Sequence, residues 1–218
     1  MSGAGLRFAE VMTGHVDFAE HDHARAATVG RETGNRLTLR LTIAIDDLAR
    51  FSVDPNRPAG IAGEVEWEAL GGRLPVEGGV FNLLVPAGDD GRRMRYRLFV
   101  RDGVGHQVTL VGEKRVGPPG LRVWADTTTL FVRAVRGWVE SDDDDAELVA
   151  AGIVRLSPLG FLRQLTTFRA DGRSPAARVG AIARFDALFA RQLWLAYGPP
   201  TIRRLLRRPA KNAGDGGR

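Results

Sequence analysis

The sequence predicts a mainly β fold: an antiparallel β-barrel or sandwich with short connecting helices and one C-terminal amphipathic α-helix. Three observations predict it. Between Val76 and Val116, three alternating apolar runs are separated by Asp89-Asp90-Gly91 and Asp102-Gly103. Asp and Gly tolerate the left-handed backbone of tight hairpin loops, so this stretch reads as a three-stranded meander. From Leu37 to Ile45, Leu37, Leu39, Leu41, Ile43 and Ile45 share one face and Thr38, Arg40 and Thr42 the other, which is the period of a half-buried strand. After Ser174-Pro175, the residues Val179, Ile182, Phe185, Phe189 and Leu193 recur at spacings of three and four. That is a helical stripe with Ser as N-cap and Pro as first residue.

The remaining elements follow in order. Leu6 to Val16 opens with a strand, and the polar, Gly-punctuated stretch from Phe18 to Asn35 reads as a loop or hairpin tip. Asp46-Asp47 starts a short helical turn that Pro55 and Pro58 stop, because an Asp carboxylate accepts from the free N–H groups of a first turn. Ile61 to Leu70 alternates, with Val65 and Trp67 opposite Glu64, Glu66 and Glu68. Within the meander, Phe81, Leu83 and Val85 share a face, as do Met94, Tyr96, Leu98 and Val100, and then Val108 and Leu110. Arg93, Arg95, Arg97 and Arg101 make the second run's outer side cationic. Residues 117–120 form a loop, 121–139 a strand pair or bent strand, 141–145 an acidic hairpin tip, 148–156 a strand and 157–165 a second short helix. Gly198-Pro199-Pro200 ends the C-terminal helix, giving one domain over 1–198 and a basic, largely disordered tail over 199–218.

The chain also echoes itself. Phe8 to Val16 resembles Phe131 to Val139, and each is followed by a polar or acidic loop, a strand and a short helix. An internal duplication would make Gly14 and Gly137 equivalent strand bends, where the missing Cβ lets the chain curve.

Composition narrows the function. The chain has no cysteine, which excludes disulfides, zinc–thiolate sites and thiol catalysis. No apolar run reaches the length of a membrane span, and the start lacks the cationic-then-apolar layout of a secretory signal, so the expected compartment is cytoplasmic. All but two of the 31 basic residues are Arg, and the net charge is only +5. The arginines are scattered rather than gathered on one face, so specific nucleic-acid binding is not expected.

Motifs of chemistry are scarce. There is no G-x-S-x-G, G-x-G-x-x-G before a helix, P-loop or H-E-x-x-H. His15, His21 and His23 lie among Asp17, Glu20 and Asp22, but their spacing matches no metal motif, and a polar hairpin tip accounts for them; no metal and no cofactor are expected. Glu64, Glu66 and Glu68 share a strand face as like charges, which favours solvation over a paired-carboxylate site. The candidate ligand-binding set is Tyr96, Glu113, Lys114 and Trp124, with Trp124 beside Asp126 and the threonines 127–129 at the mouth of an apolar cavity. Ordinary core packing of Tyr96 and Trp124 is the competing reading.

The stretches IDDLARF, GGRLPVEGGVFNLLV, MRYRLFV, LVGEKRV, W-x-DTTTLFV and GIVRLSPLGFLRQLTTFRA resemble an accessory region of bacterial multidomain proteins of the cholesterol-oxidase-like GMC (glucose–methanol–choline) oxidoreductase group. The resemblance covers about Leu6 to Tyr197. It implies an accessory or lipid-handling role beside a flavin-binding domain; this chain has no flavin-binding glycine motif and no hydrolase serine. The expected function is therefore a non-catalytic module that binds an apolar ligand (sterol or other lipid) or docks onto an oxidoreductase partner. Two alternatives stand beside it. One is a small β-barrel enzyme, an isomerase, cyclase or hydrolase using interior groups such as Tyr96, Glu113 or His15. The other is an interaction module presenting Trp194 and Tyr197, with weak, salt-sensitive contact between the basic tail and a membrane surface.

Overall fold

The computed structural model describes residues 5–87, 91–116, 127–140, 146–157, 167, 169–170, 179–180 and 182–190. The 117–126 loop with Trp124, the acidic run 141–145, the second short helix, and Leu193, Trp194, Tyr197 and the tail lie outside them.

Eight strands close into an antiparallel barrel. They are β1 (Leu6–Asp17), β2 (Arg36–Ile45), β3 (Pro58–Trp67), β5 (Gly78–Ala87), β6 (Gly91–Arg101), β7 (Gln107–Val116), β8 (Thr129–Arg136) and β9 (Leu148–Leu156), hydrogen-bonded in that order. The seam is β1 on β9, from Met12 opposite Leu156 to Asp17 opposite Ala151. A short β4 (Gly72–Pro75) extends β3, and β10 (Arg169–Ala170) pairs with the start of β1. Closure gives each of the eight strands a hydrogen-bonded neighbour on both sides, although β3 and β5 pair over only Pro58–Gly60 and Val80–Asn82, and a closed barrel presents little edge to other chains.

The alternation read from the sequence sets the inside. Leu37, Leu39, Leu41, Ile43 and Ile45 on β2, Met94, Tyr96, Leu98 and Val100 on β6, and Val108 and Leu110 on β7 all point into the core. Trp67 is buried, donates its indole N–H to Asn35 Oδ1 at 2.7 Å and stacks on Phe18. On β3, Glu64 and Glu66 face outward, where Arg40 and Arg73 meet them.

Three expectations need correction. The stretch from Phe18 to Asn35 contains a helix, α1 (His23–Glu32), N-capped by Asp22, whose Oδ1 accepts from Ala24 and Arg25 N–H. Its buried residues are Ala26, Ala27 and Gly30. A Cβ on Gly30 would sit 2.1 Å from the Val16 carbonyl oxygen, so this helix packs by having no bulk, and no apolar stripe announces it. On β5, the register slips between Asn82 and Val85, and Leu84 adopts φ 48°. Leu83, Leu84 and Val85 are consequently all buried instead of alternating, as a bulge allows. Finally, the echo does not carry through to the pleat. Phe8 is buried inside β1, whereas Phe131 faces outward under Arg115. Gly14 lies within β1, while Gly137 follows β8 in a left-handed turn (φ 83°).

Helix α2 (Leu48–Val53) forms where expected, N-capped by Asp47 and burying Leu48 and Phe51. Residues 182–190 are helical, and Phe185 packs on Phe8 with ring centroids 6.0 Å apart, with Ile182 and Phe189 against the same core. Since Phe8 points into the barrel, this helix closes the end where β1 begins. Val179, expected in the stripe, is 67% exposed.

Candidate functional site

Strand parity puts three titratable groups inside the barrel. Glu10 occupies the inward series Leu6, Phe8, Glu10, Met12 on β1, Tyr96 the series Met94, Tyr96, Leu98 on β6, and Lys114 the series Leu110, Gly112, Lys114, Val116 on β7. All three are at least 97% buried. Lys114 Nζ donates to Glu10 Oε2 at 3.3 Å and lies 5.0 Å from the centroid of the Tyr96 ring. Phe81 meets that ring edge-on at 4.8 Å.

Burial pushes the Tyr96 phenol well above its ordinary pKa, and the charge and hydrogen-bonding capacity of Glu10 push it the same way. Tyr96 is thus held protonated, as a donor. Glu10 Oε1 is buried without a hydrogen-bond partner. A buried ion pair costs several kcal/mol per ion in desolvation and is returned only by good geometry and saturated hydrogen bonding. Here one carboxylate oxygen is left over, in the position of an acceptor waiting for a donor.

No known family, curated protein or solved structure matches the chain. The site is therefore argued from its own residues.

Of the expected ligand-binding residues, Tyr96 and Lys114 come together, but Glu113 does not join them. Neighbouring residues on a strand point to opposite faces, so Glu113 lies on the outer wall, accepting from Arg93 Nη1 at 2.9 Å and Arg115 Nε at 2.8 Å. Trp124 falls outside the described residues. His15 sits apart, beside Arg31 and Arg36, and burial followed by those two charges lowers its pKa. No group of three or more His, Cys, Asp or Glu is placed to hold a metal among the described residues. Glu10 was missed, although the sequence carries its signal. Its parity on β1 puts a carboxylate among Phe8 and Met12, and the parity of β7 puts Lys114 in line with Val108 and Leu110. Two opposite charges on inward-facing positions are a pair that the fold must bring together or pay dearly to separate.

Proposed function

We propose that the barrel is a non-catalytic module for an apolar ligand, a sterol or other lipid, whose polar end is received by Glu10, Lys114 and Tyr96. The observation that carries this reading is the unpartnered Glu10 Oε1, buried beside Lys114 and Tyr96 in an interior whose other side chains are mostly apolar. It calls for a hydrogen-bond donor, and a lipid hydroxyl is one. Eight-stranded barrels have interiors just wide enough to be filled by side chains or to hold one small ligand. Phe185 of the C-terminal helix covers Phe8 two positions before Glu10, so the ligand would enter by displacing that helix. An oxidoreductase partner to which the module would deliver the lipid is part of the same proposal, as the resemblance of the sequence to GMC-associated accessory regions implies. A cytoplasmic location is part of the proposal; the cysteine-free composition is compatible with it, and no helix among the described residues is long and apolar enough to cross a membrane.

Organic extraction of the purified chain followed by mass spectrometry tests the reading directly. A stoichiometric lipid, absent from the folded Glu10→Met/Lys114→Met variant, is the expected result. A chain that yields no lipid and does not take up a fluorescent sterol from vesicles refutes it. A second reading, a small proton-transfer enzyme such as an isomerase, is favoured by the convergence of the same three titratable groups. Recovery of the added ligand chemically unchanged decides for the carrier.

A further inference from the structure

A second concentration of charge lies on the outer wall, on the other side of the strands that carry Tyr96 and Lys114. Arg93, Arg95 and Arg97 take alternate positions along β6, Arg115 and Glu113 lie on β7, and Phe131 and Arg133 on β8. With His21 and His23 at the start of α1, they line a hollow of about 560 Å³, within the range of small-molecule sites, roughly 300–1,000 Å³. Among the described residues, five guanidiniums share it with the carboxylate of Glu113.

The groups are held rather than loose. Arg115 lies 4.7 Å over the Phe131 ring, and His23 meets the same ring edge-on at 5.6 Å. Glu113 bridges Arg93 and Arg115. Arg133 is half-buried and makes no hydrogen bond or ion pair among the described residues. Burial, then the charges of Arg115 and Arg133, lower the pKa of His23, so at neutral pH it adds a hydrogen-bonding group without adding charge. Guanidinium forks match carboxylate and phosphate oxygens in bidentate geometry. Among these side chains Arg133 is the one left to meet an incoming anion, and the other guanidiniums form the cationic wall around it.

We infer that this hollow binds a small organic polyanion carrying phosphate or carboxylate groups. A nucleic-acid backbone would need a cationic track along the surface, whereas these side chains converge on a recess walled by the first residues of α1 and by Leu148. The charged side chains of the two sites point to opposite faces, because β7 sends Lys114 inward and Glu113 and Arg115 outward, while Tyr96 and Gly112 also line the hollow.

Calorimetric titration of the whole chain with sodium pyrophosphate, and separately with citrate, at low ionic strength is the test; the two arms separate phosphate from carboxylate recognition. At least one anion should bind at a single site with affinity that falls as salt is added. Arg133→Ala should weaken it about tenfold or more, the usual scale for a lost charge-assisted contact, with Arg133→Lys between the two. Circular dichroism checks folding, and should Arg133→Ala not fold, Arg115→Ala serves the same decision, its side chain being 59% exposed. The inference is overturned by silence from both anions at about 10 mM, far above any specific affinity. It is equally overturned by folded variants that bind like the parent, or by a single-stranded oligonucleotide that binds more tightly than either anion.

Discussion

Lys114→Met removes the cation from the interior and leaves the Glu10 carboxylate buried without its charge partner, with only the Tyr96 phenol beside it as a donor. The two groups are 3.3 Å apart and at most 3% exposed. At an effective dielectric of about 20 their attraction is roughly 5 kcal/mol, and breaking a buried pair by removing one partner costs about 3–5 kcal/mol. Glu10→Met should cost a similar amount by stranding Lys114. The double variant should behave differently, because two methionines fill the space without any charge to desolvate. It should match the parent, or exceed it by about 1–4 kcal/mol. Urea unfolding, followed by near-ultraviolet circular dichroism, measures all four corners of the cycle. Single variants that each lose less than about 1 kcal/mol, or a double variant whose loss equals the sum of the singles, would show that the two groups are not coupled. The functional corollary is sharper. If the charges exist to receive a ligand, the stable double variant should purify without lipid; a stable double variant that still carries the lipid would leave the pair with no role in binding.

The same interior yields a pH prediction. The folded pKa of Tyr96 lies above its ordinary value of 10.0, so its contribution to stability is complete below about pH 10 and is lost as pH rises from there toward the folded value, at up to about 1.4 kcal/mol per pH unit. In a Tyr197→Phe background Tyr96 is the sole tyrosine; its phenolate absorbance should appear only as the chain unfolds, and ionisation near pH 10 in the folded protein would contradict its burial beside Glu10. Phe185→Ala should cost about 3–5 kcal/mol, as for a buried aromatic truncated to Ala, and should speed uptake of a fluorescent sterol by vesicle transfer. Unchanged stability would mean that the helix does not plug the barrel. Gly152→Ala would set a Cβ 2.2 Å from the His15 carbonyl oxygen, so it should cost about 1–3 kcal/mol and strip hydrogen-exchange protection from the β1–β9 seam. A neutral effect with protection intact would argue against closure there.

Period-two alternation made most of the barrel legible. The β2, β6 and β7 strands, the inward rows on each, and the Asp-capped α2 were all readable because each face has one solvent. Where the chain departs from that rule, the reading failed for physical reasons. Helix α1 hides its packing face in alanines and a glycine, which carry little hydrophobic signal. The Leu83-Leu84-Val85 bulge buries neighbours that a regular strand would separate. The echo compared residue types without comparing parity, so Phe8 and Phe131 were matched although one faces the core and the other an arginine. The candidate site was half legible for a related reason. Adjacency in sequence groups Glu113 with Lys114 beside Trp124, with Tyr96 reaching the same interior, yet strand geometry sends Glu113 to the other side of the wall. Glu10 lies 104 residues from Lys114, and only pairing the two ends of the sheet brings it in reach.

The consecutive charges Glu113, Lys114 and Arg115 tie the two proposed sites to one structural fact. A one-residue slip of a strand exchanges its faces. In β7 that slip would turn Thr109, Val111, Glu113 and Arg115 inward and expose Val108, Leu110 and Val116. Glu113 would then enter an interior that already holds the Glu10 carboxylate, while Lys114 left it. The slipped barrel would bury three charges, Glu10, Glu113 and Arg115, in place of one ion pair, and would lose Val108, Leu110 and Val116 from the core while gaining only Val111 and Thr109. The native register is therefore favoured twice over, by the hydrophobic row and by burying one matched ion pair instead of an unbalanced set of three charges. The outer cluster benefits from the same selection, because fixing Lys114 inward is what fixes Glu113 and Arg115 outward, opposite Arg95 and Arg93 on β6. A single strand can thus carry an interior polar anchor and an exterior anion site at once, provided its register cannot drift, and the closed β1–β9 seam denies it the room to do so.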